Sequence, residues 1–68
     1  MIKPLDRVQC RLYNTPERKF YGEFFNGVVE FIIDDYQFST NKEKGYFVMR
    51  ENLTSIVLKR KEIKRILK

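Results

Sequence analysis

From Arg7 to Tyr13 polar and apolar residues alternate without a break. Val8, Cys10 and Leu12 are directed one way, Arg7, Gln9 and Arg11 the other. A period of two marks a half-buried β-strand, because successive side chains of a strand point to opposite faces. The rest of the sequence agrees with that start. It has no alanine, and Val, Ile, Phe, Tyr and Thr supply twenty-four of its 68 residues. Branched and aromatic side chains suit a pleated surface and lose rotamer freedom in a helix.

Turn signals divide the sequence into further short runs. Asn14-Thr15-Pro16-Glu17-Arg18 reads as a turn, and Lys19 to Phe25 as a second strand. Asn26-Gly27 predicts a tight hairpin, since both residues tolerate positive φ. The return strand is Val28 to Asp34, with Val29, Phe31 and Ile33 as its core set. Asp35 to Lys44 is polar but carries Tyr36 and Phe38, enough to extend the hairpin before it loops. Gly45 opens a fourth strand, Tyr46 to Arg50; Glu51 to Thr54 is a short link, and Ser55 to Leu58 resumes an extended run. Five short strands in one small domain predict a mainly β fold, a strongly bent antiparallel barrel over residues 1–58. Closure of the barrel would remove the exposed edges of an open sheet.

The formal charge of +5 is local. Residues 1–58 hold eight basic and eight acidic side chains, whereas 59–68 hold six and one, so the whole surplus is 6 − 1 = +5 in the last ten residues. Those ten form a basic amphipathic segment packed on the barrel or extending from it. As a short helix it gathers Ile63, Ile66 and Leu67 on one face, with Lys61, Lys64, Arg65 and Lys68 opposite. As a strand, Ser55 to Lys61 continues and the remainder frays. A single helix over Glu51 to Lys68 is a third arrangement, against which the Ser55-Ile56-Val57 run argues.

The order of these elements resembles the small barrels of the Sm-like (LSm) family and the wider SH3-like group. The residues that carry the likeness are Arg7-Val-Gln-Cys-Arg-Leu-Tyr13, then Phe20-Tyr-Gly22-Glu-Phe-Phe25, where the family also sets a glycine in a strongly curved second strand. Phe31-Ile-Ile-Asp34-Asp35 and Tyr46-Phe-Val-Met-Arg50-Glu-Asn-Leu-Thr-Ser-Ile56 are similar to its third strand and closing segment. The likeness implies nucleic-acid binding and a homo-oligomeric ring built from edge strands, here Tyr46–Arg50 and Ile56–Lys59. It carries over no uridine site. The family's pore aspartate and asparagine have no match, and Arg50-Glu51-Asn52 stands where a glycine is usual.

Several chemistries are excluded or disfavoured by residue type. There is no histidine, and Cys10 is the single cysteine, so an internal disulfide and a multi-cysteine metal site are ruled out. Asp34 and Asp35 are neighbours on a strand and point apart, and the three glycines are too scattered for a phosphate loop. No catalytic residue, metal or cofactor is expected. Without a membrane-length apolar run or a leader pattern, a cytoplasmic protein is expected. Three aliphatic residues in the last segment are too few for membrane attachment.

Binding remains. Lys59, Arg60, Lys61, Lys64, Arg65 and Lys68 are candidates for phosphate contacts, with Arg11, Arg18 and Lys19 on the first hairpin as secondary ones. The same cluster also suits a solvated face that keeps a small protein soluble. Seven of the ten aromatics lie between Phe20 and Phe38, most of them suited to a core. Tyr13, Tyr21 and Tyr36, beside turns or charges, are the exposed candidates for stacking on bases or meeting a partner. The leading expectation is RNA or single-stranded nucleic acid. The alternative is a protein-interaction module that regulates or inhibits a larger complex.

Overall fold

The computed structural model describes residues 1–39 and 41–67. Five antiparallel strands form one sheet: β1 (Arg7–Asn14), β2 (Lys19–Gln37), β3 (Lys42–Arg50), β4 (Ser55–Leu58) and β5 (Ile63–Leu67), in the order β4-β3-β2-β1-β5. A three-residue 3-10 turn, Arg60–Glu62, connects β4 to β5. The expected barrel is not closed. Among the described residues β4 pairs only with β3 and β5 only with β1, so each leaves one open edge.

Two predicted strands are one. β2 runs for 19 residues straight through Asn26-Gly27, where a hairpin was expected. Gly27 is present for a different reason from turn geometry. A Cβ there would lie 2.4 Å from Val48 Cγ1 and 2.7 Å from the Met49 carbonyl oxygen, so the missing side chain lets β3 approach. The hairpin instead lies between Gln37 and Lys42, where the Phe38 N–H donates to the Asn41 carbonyl at 2.9 Å. The polar stretch after Asp34 therefore does extend both strands.

Bulges bend this long strand and reset its faces. Cys10 pairs with Phe25 and Leu12 with Tyr21, so Arg11 alone lies opposite Gly22, Glu23 and Phe24. Gly22 adopts φ +75°, the left-handed conformation that such a bulge needs. A second irregularity at Glu30 lies between the pairs Val29–Val48 and Phe31–Phe47. It turns the following residues over. Val29 is buried, but Phe31 and Ile33, expected beside it in the core, are 48% and 40% exposed.

The core consists of Ile2, Val8, Cys10, Val29, Tyr46, Val48, Leu58 and Ile63. Ile2 reaches it because Lys3-Pro4-Leu5-Asp6 is a turn that straps the first residues onto β2. The Leu5 N–H donates to the Val29 carbonyl at 2.7 Å, and the Val29 N–H to the Asp6 carbonyl at 2.9 Å.

The basic segment is a strand rather than a short helix. Ile63 pairs with Cys10, Arg65 with Gln9, Ile66 with Val8 and Leu67 with Arg7. Ile63 enters the core, and the helix-like spacing of Ile63, Ile66 and Leu67 is incidental. Tyr46–Arg50, expected to be an edge, lies within β3 and is paired on both sides.

Candidate nucleic-acid interface

β1 carries the outward set Arg7, Gln9, Arg11 and Tyr13 along one face, a length of about 20 Å at about 3.4 Å per residue. β5 lies antiparallel beside it and adds Lys64 and Arg65. Pairing of the two strands converts a terminal charge cluster into one flank of a continuous basic surface.

Glu62 sets the lower end of that surface. It is a buried carboxylate at 7% exposure, and both of its oxygens are committed. Oε1 accepts the Lys59 N–H and Oε2 the Tyr13 N–H, each at 2.9 Å. This ties the 3-10 turn to the end of β1 and sets the flanking lysines beside aromatic rings.

Lys61 Nζ lies 4.2 Å from the centre of the Tyr13 ring, and Lys64 Nζ 3.2 Å from that of Phe20. The two rings meet edge to face at 4.8 Å, so the four side chains form one cluster. Further along β1, the Arg11 guanidinium lies 5.3 Å from the Phe24 ring while its Nε donates to the Gly22 carbonyl at 2.9 Å. Phe24 is 53% exposed because the Gly22 bulge lifts it out of the sheet.

The remaining predicted residues divide. Arg65 joins the surface, with its Nε donating to Gln9 Oε1 at 3.2 Å. Lys59 turns towards Thr15 Oγ1, at 2.9 Å, and the Phe38 ring, at 5.4 Å. Arg60 donates to the Ile63 carbonyl at 3.0 Å, which makes it a brace for β5. Arg18 occupies the turn at φ +56°, and Lys19 is drawn to Glu17 at 3.8 Å. Lys68 lies outside the described residues.

Of the three tyrosines, only Tyr21 is exposed. Tyr13 is half-buried within the cluster. Tyr36 packs in its own molecule, 4.9 Å from the Phe38 ring and 5.7 Å from that of Phe47. Phe20 and Phe24 are the ring partners that reading by alternation missed. The signal for Phe24 was Gly22, whose bulge interrupts that alternation.

The ion pairs among the described residues are Lys3–Asp6, Lys19–Glu17 and Lys44–Asp34, and none involves Arg7, Arg11, Lys61, Lys64 or Arg65. Cys10 lies beneath it, fully buried. Burial, with the Glu62 carboxylate adding to it, pushes its thiol up to about 12, so it is held as the unreactive neutral form. No group of three or more metal-ligating side chains occurs among the described residues, and none of their helices is long and apolar enough to cross a membrane. Comparison of the chain with protein families, with curated proteins and with solved structures found no match.

Proposed function

We propose that this protein is a non-enzymatic binding module that holds RNA or another single-stranded nucleic acid along the outer face of β1. The observation that carries the reading is the pairing of cations with rings: Lys61 on Tyr13, Lys64 on Phe20 and Arg11 on Phe24, none of them in an ion pair among the described residues. An exposed cation–π contact is worth about 0.5–1 kcal/mol. A base stacked on an aromatic ring is worth about 1–3 kcal/mol. A base therefore displaces the cation from the ring face, and the released lysine is already within reach of the adjoining phosphate.

Of the likeness to the Sm-like or SH3-like class, the glycine in a strongly bent second strand is the feature that supports the reading. A cytoplasmic setting fits a chain whose single thiol is free and buried. The test is fluorescence anisotropy with a labelled twelve-nucleotide single strand. Affinity is expected to fall steeply as salt rises, and absence of binding at low salt overturns the reading.

A second reading rests on a separate observation. Phe31 and Ile33 are exposed on the outer surface of β2 and β3, Phe31 stacks on Phe47 at 4.4 Å, and Val57 of the open β4 edge is the neighbouring partner of Phe47. An apolar face beside an unpaired strand suits a protein partner that adds a strand, as expected of a regulator or inhibitor of a larger complex. Such binding would be insensitive to salt and lost on Phe31→Ser.

A further inference from the structure

The basic face ends at Arg7 in a shallow cleft of about 230 Å³, which extends across Asn26, Arg50 and Glu51 into a second hollow beside Phe25 and Asn52. The compartment at Arg7 has room for one small planar group, and the second hollow, about 300 Å³, adjoins it. Its walls are of two kinds. Val28 and Met49 are cross-strand partners and supply apolar surface.

One polar group is held in place and three are free among the described residues. Arg50 donates from Nε and Nη2 to Thr54 Oγ1, at 3.0 and 2.7 Å, and Thr54 is itself fixed on Asn52 Oδ1. Arg7, the Asn26 amide and the Glu51 carboxylate make no side-chain hydrogen bond or ion pair among the described residues. A bare anion would be drawn by the two arginines and repelled by Glu51. A ligand satisfies the whole set only if it brings hydrogen-bond donors for Glu51 and negative charge for Arg7 and Arg50, with an apolar ring between them.

We propose that this cleft holds one unpaired base that carries an exocyclic amino group, as the terminal subsite of the strand bound along β1. The amino group donates to the Glu51 carboxylate, the Asn26 amide meets the rest of the base edge, and Arg7 and Arg50 take the flanking phosphates. Uracil and thymine offer only the imino N3–H, flanked on both sides by carbonyl oxygens that the Glu51 carboxylate repels, so they fit the cleft less well. The inference rests on the single-strand reading above and adds selectivity to it.

The test compares fluorescein-labelled oligocytidylate and oligouridylate twelve-mers, two pyrimidine strands that differ at the amino position, by anisotropy at low salt. The wild-type protein should bind oligocytidylate about fivefold to tenfold more tightly, the lower range of discrimination for one well-placed base contact. Glu51→Ala should bring the ratio to about one. Glu51→Gln, which keeps an acceptor oxygen without the charge, should retain the preference while both strands bind more tightly. Equal wild-type affinities, or a preference unchanged in Glu51→Ala, overturn the subsite and leave the β1 surface standing. Failure of the wild type to bind either strand overturns both.

Discussion

The Glu62 carboxylate accepts the backbone N–H of Tyr13 across 49 residues of sequence, while its other oxygen accepts that of Lys59. One buried side chain thus joins the turn before β5 to the end of β1. Glu62→Ala removes both acceptors and leaves two N–H groups in a part-buried site, each costing about 1–3 kcal/mol. Chemical denaturation should show a loss of at least about 2 kcal/mol, with Glu62→Gln losing less because one acceptor survives. The variant should also weaken strand binding beyond the effect of charge, because Lys61 is no longer held at the Tyr13 ring.

Gly22 and Gly27 should fail differently. Alanine at Gly27 would set a methyl 2.4 Å from Val48 Cγ1 and 2.7 Å from the Met49 carbonyl oxygen, forcing β2 and β3 apart. Overpacking of this kind costs about 1–3 kcal/mol or more. At Gly22 there is open space, and the cost is that of holding an L-residue at φ +75°, about 1–2 kcal/mol. D-alanine introduced by chemical synthesis separates the two: it should rescue position 22 and not position 27.

Leu5 is held at φ +75° in the turn that follows Pro4, with its side chain 80% exposed. A type II turn prefers glycine at this position. Leu5→Gly relieves the strain and loses some chain entropy, for a net gain of a few tenths to about 1 kcal/mol. A rise in the thermal midpoint is the expected result.

On the β1 surface, charge and stacking should separate in the salt dependence. Lys61→Gln with Lys64→Gln should lower affinity for a single strand and reduce the slope of log affinity against log salt by about two. Phe20→Leu should weaken binding by about 1–3 kcal/mol and leave the slope unchanged.

Cys10 gives a pH dependence of defined sign. Its pKa is raised from the usual 9.0 to about 12 by burial and the Glu62 carboxylate. Above pH 9 the unfolded chain loses the thiol proton and the folded one keeps it, so fewer protons are bound in the unfolded state and stability falls. The contribution is whole below pH 9 and is lost as pH rises towards 12. Wild type should therefore lose stability relative to Cys10→Val over that range, and iodoacetamide should leave the native thiol unmodified.

The elements legible in the sequence were those specified by local pattern. β1 was read from alternation, the Asn14–Arg18 turn from its short polar residues and Pro16, and β4 from its branched run. β2 was split in two because Asn26-Gly27 looks the same whether glycine serves a turn or a close approach, and only the strand opposite decides. β5 was missed because its burial depends on β1, far away in sequence, and its apolar spacing also fits a helix. Charge counting singles out Arg11, Lys61, Lys64 and Arg65 together with Lys59, Arg60, Arg18 and Lys19, which the fold turns elsewhere. The assembly of the first four with Phe20 and Phe24 is not legible in the sequence, since it requires the Gly22 bulge and the β1–β5 pairing together.

That pairing also bears on how the molecule forms. Arg7 meets Leu67 and Cys10 meets Ile63, so β1 takes its second neighbour from residues synthesised long after it. Until they arrive, Val8 and Cys10 lack the cover of Ile63, and β1 presents a bare edge to any other extended chain. Contacts this distant bring a large loop-closure cost before they reward it. A nascent chain arrested before Ile63 should be the aggregation-prone species, and one extended past Leu67 the folded one.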